Sequence, residues 1–116
     1  MTIACFKPKW MDEEIEMLHE SALKVFRDWE AHDEKWRENG MLDREAWLEA
    51  GEMGFLCASM PEEYGGAGGD FRHEAALIYA QSEANQAGFG GFLHSGNVAP
   101  YILHHGTEMH NQAWLP

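Results

Sequence analysis

Between Pro61 and Asp70 the chain reads Pro-Glu-Glu-Tyr-Gly-Gly-Ala-Gly-Gly-Asp, with glycine at positions 65, 66, 68 and 69. Glycine enters backbone conformations closed to other residues and lets two segments approach closely, at an entropic cost inside a helix. This stretch therefore cannot prolong a helix, and it divides the chain into two parts that are each patterned at helical period. It matches neither the dinucleotide fingerprint nor the P-loop, and it lacks the preceding strand and the lysine those loops require. It reads as a connection, not a phosphate cradle.

On the amino-terminal side, Ile15, Leu18, Ala22, Val25 and Trp29 recur at spacings of three and four and form one stripe of an amphipathic helix. Asp12 suits its N-cap, with Glu13 and Glu14 in the favourable first turn. The charged run Glu30 to Glu38 predicts fraying, with Trp36 as a single large apolar contact and Asn39-Gly40 as a left-handed stop. A second helix is expected from Asp43, facing inward through Ala46, Trp47, Ala50 and Met53 and ending at Gly54. Phe55 to Met60 is apolar enough for a strand, but a lone strand has no partner in a chain of helical period. A buried turn or short helix is expected there.

Beyond the glycine loop, Asp70 can cap a long helix with Phe71, Ala75, Ile78, Tyr79 and Ser82 on one face, ended by Gly88, Gly90 and Gly91. The next helix carries Phe92, Ser95, Ala99 and Ile102 on one stripe. Pro100 removes a backbone hydrogen bond and presses on the carbonyl of Gly96, so a kink absorbed at Gly96 is expected. Gly106 ends this element, and Thr107 can cap a last helix running toward Trp114. With no strand pair, repeat or low-complexity tract, the expected fold class is all-α, a helical array of about five to six helices.

The chain has 116 residues, 45% of them apolar, enough for one domain with its own core. A formal charge of −12 with eight Lys and Arg argues against nucleic acid or an anionic membrane as partner. Cys5 and Cys57 are too few for a disulfide framework, so free thiols and a reducing compartment are expected. The first ten residues lack a signal-peptide core and no apolar run approaches the ~20 residues of a membrane span, so a soluble, intracellular protein is expected.

Catalytic patterns are sparse. Glu16-Met17-Leu18-His19 has the Glu-x-x-His spacing of di-iron bundles, but the nearest second copy is Asp70-Phe71-Arg72-His73 at a helix start, which leaves Glu16, His19 and His73 as an incomplete metal set. His104 and His105 point about 100° apart on a helix and do not share an ion. Cys57 has no adjacent base, and Ser95 follows His94 without an elbow around it. No catalytic residue and no metal ligand emerges from these patterns.

Four segments together carry a family resemblance: Trp47-Leu48-Glu49-Ala50-Gly51-Glu52-Met53-Gly54-Phe55-Leu56, the glycine loop, the helix from Phe92 to Ile102, and Gly106-Thr107-Glu108 leading to Trp114-Leu115-Pro116. In this order they resemble the amino-terminal domain of flavin-dependent acyl-CoA dehydrogenases, from about Met11 to the last residue, with residues 1–10 as an extension. The form His-Ser…Val-x-Pro-Tyr-Ile is most similar to members acting on long-chain substrates. One departure is His110, where the family commonly has Gln, so loss of the usual capping box is expected.

The resemblance implies a complete enzyme that oxidises a fatty acyl-CoA to its trans-2-enoyl thioester with FAD as hydride acceptor, in the bacterial cytoplasm or the mitochondrial matrix. The flavin-binding β-domain and the carboxy-terminal helical domain that carries the catalytic base have no counterpart in these residues. The chain alone is accordingly expected to hold no flavin and to be inactive. Residue by residue, the resemblance places Phe89, Phe92, Leu93, Ser95 and Gly96 against the acyl tail as pocket wall. Gly96 and Ala99 leave volume beside their helix, which suits either an alkyl chain or close helix packing. The surface left by the missing domains is expected to drive self-association; the alternative is an autonomous helical module that docks a protein partner.

Overall fold

In the computed structural model, which describes residues 6–116, helix α1 (Glu13–Asp28) begins where Asp12 turns extended and its carboxylate accepts the Ile15 N–H at 3.0 Å. Its buried face is Ile15, Ala22 and Phe26, continued by Trp29. At 100° per residue Ile15, Ala22 and Phe26 fall within an arc of about 40°, and Leu18 and Val25 lie to one side of it. The stripe is thus rotated from the expected one, and the half-buried Leu18 and Val25 form its edge.

The expected fraying does not occur. The backbone tightens through a 3₁₀ turn (Trp29–His32) and continues as α2 (Asp33–Asn39) until Gly40 stops it at φ 74°. Tertiary contacts hold these charged residues helical: Trp36 meets Trp29 edge-on at 5.7 Å, Asp33 accepts the Gln86 amide at 2.9 Å, and Lys35 donates to Asp43 at 3.0 Å.

Helix α3 (Arg44–Glu52) buries Ala46 and Ala50 and half-buries Trp47. Met53, expected to face inward, is instead exposed, because it sits past the last helical turn where Gly54, at φ 79°, redirects the chain. Phe55, Ala58 and Met60 then form a buried turn, as the lack of a partner strand predicted. The glycine loop folds back on this turn around a short 3₁₀ helix (Glu62–Tyr64): the N–H groups of Ala67, Gly68 and Gly69 donate to the carbonyls of Cys57, Met60 and Ala58. At Gly66 a Cβ would stand 2.2 Å from the Met60 carbonyl oxygen, so the approach requires glycine.

Helix α4 (Phe71–Glu83) is capped by Asp70 but presents Glu74, Ala76, Leu77 and Ala80 to the core. The face expected from Phe71, Ala75, Ile78, Tyr79 and Ser82 is rotated away: Phe71 and Ser82 are exposed and the other three half-buried. Alanines make this register favourable, since Ala22, Ala76 and Ala80 are fully buried and let α1 and α4 pack closely along the main helix pair of the fold. The helix also ends earlier than the glycines suggested, at Ala84 and Asn85, the latter at φ 57°.

The chain then forms a π-helical segment (Phe92–Val98) that runs directly into α5 (Ala99–His105), followed by extended Gly106 and α6 (Glu108–Trp114). Contrary to expectation the capping box of α6 is intact: His110 donates its N–H to Thr107 Oγ1 at 3.3 Å, and its Nδ1 accepts the Thr107 N–H at 3.2 Å. An imidazole nitrogen here does the work of a Gln side-chain oxygen.

Six α-helices, the π-helical segment and two 3₁₀ turns make up the array, with no strand among the described residues. The molecule extends 46 × 39 × 20 Å, and its short axis is about two helix diameters, hence two layers. Phe26, Trp29, Trp36, Phe55 and Phe89 anchor the principal core; Met60, Tyr64, Ala99 and Leu115 form a second. No helix among the described residues is long and apolar enough to cross a membrane.

Candidate functional site

The second core lies beneath the π-helical segment, whose wide turn follows from local sequence. In an α-helix the Pro100 ring would press on the Gly96 carbonyl; here the preceding residues take the i→i−5 register, with the Ala99 N–H donating to the His94 carbonyl. The kink anticipated at Gly96 is therefore replaced by a widened turn that ends as Pro100 enters the first turn of α5. The segment is pinned from below by Ser95, which is fully buried. Its Oγ accepts the Cys57 N–H at 2.8 Å and lies 3.0 Å from His94 Nδ1, to which the hydroxyl can donate.

This one hydroxyl joins the π-helical segment to the turn before the glycine loop. Cys57 adopts φ 54° in that turn, a left-handed conformation costly for a residue with a Cβ. Two residues on, Ser59 gives both its N–H (3.2 Å) and its Oγ (3.1 Å) to the buried carboxylate of Glu74 on α4. The turn is thus tied on both sides. Burial pushes the Cys57 thiol above its ordinary range, a shift that the Ser95 hydrogen bond opposes and the Glu74 charge reinforces. A thiol so placed is a free, weakly nucleophilic cysteine.

A groove of about 320 Å³ opens beside this junction, walled by Leu56, Cys57, His94, Val98, Ile102 and Trp114. Val98 and Ile102 also border a shallower depression of about 470 Å³ with Tyr101 and His105, so the two form one apolar face along α5.

Of the five residues expected in an acyl pocket, the fold brings Phe92 and Leu93 to the surface, 41% and 61% exposed. Phe89 is in the principal core against Phe26, Trp29 and Trp47. Ser95 is buried as described, and the space a Cβ would take at Gly96 is filled by the Phe92 ring. The groove itself is walled by residues the sequence reading did not assign, Leu56, Val98 and Trp114 among them. For Val98 the signal was present in the spacing of His94, Val98 and Ile102, each four residues on; Leu56 and Trp114 come from other segments and share no such spacing.

The incomplete metal set does not converge. Glu16 pairs with Lys7, His19 with Glu83 and His73 with Glu14 and Asp70. No group of three or more His, Cys, Asp or Glu among the described residues is placed to hold a metal ion.

The fold is thus a flat helical array in which a π-helical turn is tied to the segment before the glycine loop and an apolar groove opens beside it. Residues 12–116 match the family described as "Acyl-CoA dehydrogenase, N-terminal domain", and the chain belongs to it. Among its relatives, the mitochondrial long-chain specific acyl-CoA dehydrogenase of Mus musculus is 35% identical over 104 residues, which are 89% of this chain and 24% of the relative. The acyl-CoA dehydrogenase FadE12 of Mycobacterium tuberculosis is 38% identical over 77 residues, 62% of this chain and 19% of that protein. The crystal structure of acyl-CoA dehydrogenase from Geobacillus kaustophilus superimposes with a TM-score of 0.84 at 32% identity, covering 95% of this chain and 29% of that one. The chain thus spans about a quarter of the length of the mouse relative.

Proposed function

We propose that this chain acts as the amino-terminal helical domain of an FAD-dependent acyl-CoA dehydrogenase whose complete form oxidises a fatty acyl-CoA to the trans-2-enoyl thioester. It works in the bacterial cytoplasm or the mitochondrial matrix, a reading that its mitochondrial and its bacterial relatives both support. Its part is to supply pocket wall and packing surface, not chemistry. The observation that carries this reading is the apolar face on and around the π-helical segment, where Phe92 and Leu93 stand exposed and Val98, Ile102 and Trp114 line a groove of about 320 Å³. Such a face suits an alkyl chain, which needs apolar walls and few polar contacts.

A flavin, when bound in the complete enzyme, supplies the hydride acceptor. The glycine loop does not fit its pyrophosphate, because the loop amides of Gly66, Ala67, Gly68 and Gly69 are already bonded to the carbonyls of Pro61, Cys57, Met60 and Ala58. The chain's own residues therefore position and cover, and none of them transfers a proton or hydride.

A long-chain acyl-CoA titrated into the ¹⁵N-labelled chain tests the assignment of the wall. Amide shifts are expected to concentrate at Phe92, Leu93, Val98 and Ile102 and to vanish in Ile102→Asp. Shifts gathered instead at the depression between Trp36, Met41 and Gly88, or none at all, refute the pocket assignment. FAD that co-elutes stoichiometrically with the chain in gel filtration refutes the absence of flavin contacts.

The exposed Val98, Tyr101 and Trp114 also favour a second reading, in which this face docks protein. If the chain is only a part of the enzyme, the same face should instead make it self-associate, which Val98→Asp should weaken in sedimentation velocity. A strictly monomeric wild type removes the simple fragment reading and favours the docking module.

A further inference from the structure

Two helices of this chain are capped by histidine in the same way. On α4, His73 Nδ1 accepts the Asp70 N–H at 3.0 Å; on α6, His110 Nδ1 accepts the Thr107 N–H at 3.2 Å. A ring nitrogen can accept only while it carries a lone pair, so each cap exists only with a neutral imidazole. A Gln or Glu in the same position has no such condition near neutral pH.

The surroundings of the two rings differ. A protonated His73 would still face carboxylates from both packed elements: Asp70 Oδ1 at 3.4 Å on its own helix start and Glu14 Oε1 at 3.3 Å on α1, with Arg72 and Asp12 joined to the same network. Charge-assisted contacts therefore replace the lost cap and α4 stays docked. Among the described residues, His19 and His73 have a carboxylate within 4 Å, and His110 does not. The titratable groups on the elements around His110 are Glu108 on α6, Glu62, Glu63 and Tyr64 on the 3₁₀ helix, and Tyr101, His104 and His105 on α5. Glu108 is itself engaged, accepting from the Tyr64 hydroxyl at 2.7 Å and the Gln112 amide at 3.0 Å. Against the ring lies Trp114, stacked at 4.6 Å and 9°. That π face welcomes a cation, but it gives the Thr107 N–H nothing in return. A positive charge in the first turn also opposes the helix dipole.

We infer that α6 is a proton-sensitive wall of the groove: when His110 takes up a proton, the cap at Thr107 is lost and α6 loosens, while α4 holds. Because Trp114 and Leu115 line the groove, the change reaches its mouth whatever the groove binds. The inference goes beyond the acyl-pocket reading and does not depend on it.

Amide hydrogen exchange on the full chain, expressed as protection relative to intrinsic rates, tests this at about pH 7.5 and about pH 5.5, either side of the range in which imidazole ordinarily titrates. Protection in α6 is expected to fall about fivefold at the lower pH, which corresponds to about 1 kcal/mol, with α4 unchanged. His110→Gln keeps an acceptor that does not titrate and should abolish the fall. Should that variant be loose at both pH values, His110→Glu serves instead, since its carboxylate remains charged at about pH 5.5. Unchanged α6 protection in the wild type, an equal fall in α4, or a fall that persists in both variants overturns the inference.

Discussion

Replacing Ser95 with alanine removes one oxygen atom, yet the fold routes two segments through it. In the native chain the Cys57 N–H donates to Ser95 Oγ at 2.8 Å, and Ser95 is fully buried, so water does not reach the space to substitute. The variant leaves that N–H without a partner, which costs about 1–3 kcal/mol, and the left-handed turn at Cys57 loses its anchor. With about 2 kcal/mol as the working figure and an unfolding entropy of about 2.1 cal/mol/K per residue over 116 residues, the melting temperature should fall by about 8 °C. Calorimetry with parallel urea titration measures it. Ser82→Ala is the matched control: Ser82 is exposed on α4, and its loss should change stability by less than about 0.5 kcal/mol. If Ser95→Ala melts within about 2 °C of the wild type, the hydroxyl does not pin the π-helical segment to the turn.

Gly66→Ala should destabilise by about 3 kcal/mol or more, because the added carbon would sit 2.2 Å from the Met60 carbonyl, whose backbone has little room to yield. Gly40→Ala, at φ 74° but with nothing within 4 Å of the new carbon, should cost only about 1–2 kcal/mol; equal losses in urea would contradict the steric account. At the start of α4, hydrogen bonding from the Arg72 side chain is the main cause holding the Asp70 carboxyl down at about 2. A carboxylate with a lowered folded pKa stabilises above its ordinary range and loses that effect as pH falls through the folded value, so the Asp70 cap should persist to about pH 2. Arg72→Ala should move the Asp70 midpoint upward in a ¹³C carboxyl titration, and an unmoved midpoint rules out the Arg72 contact as its cause.

The all-α class, most helix starts and the caps at Asp12 and Asp70 were legible because they depend on neighbours in sequence: a side-chain oxygen two or three residues from the N–H it accepts, a glycine where φ must be positive. The same locality made the glycine loop and the closing Gly-Thr-Glu to Trp-Leu-Pro segment recognisable as a family pattern. Which face of each helix turned inward was less legible. Apolar residues span a broad arc of α1 and α4, and the choice fell to Phe26 and to the alanines at 76 and 80, whose small size allows the two helices to meet. Similarly, the charged run after Glu30 looked unable to hold a helix, and locally it is; Trp36 against Trp29 and Asp33 against Gln86 supply the stability from outside.

By itself, then, the sequence determined an all-α array of this length, its punctuation and its family, all properties written at short range. Only the tertiary structure decided that Ser95 faces Cys57 across 38 positions and that the groove is walled by Val98 and Trp114. It also decided that His73, but not His110, meets a carboxylate on a packed neighbouring helix, Glu14 of α1. The physical reason is common to all three: each depends on which atoms meet across the packed layers, a geometry that helical period and local propensity do not encode.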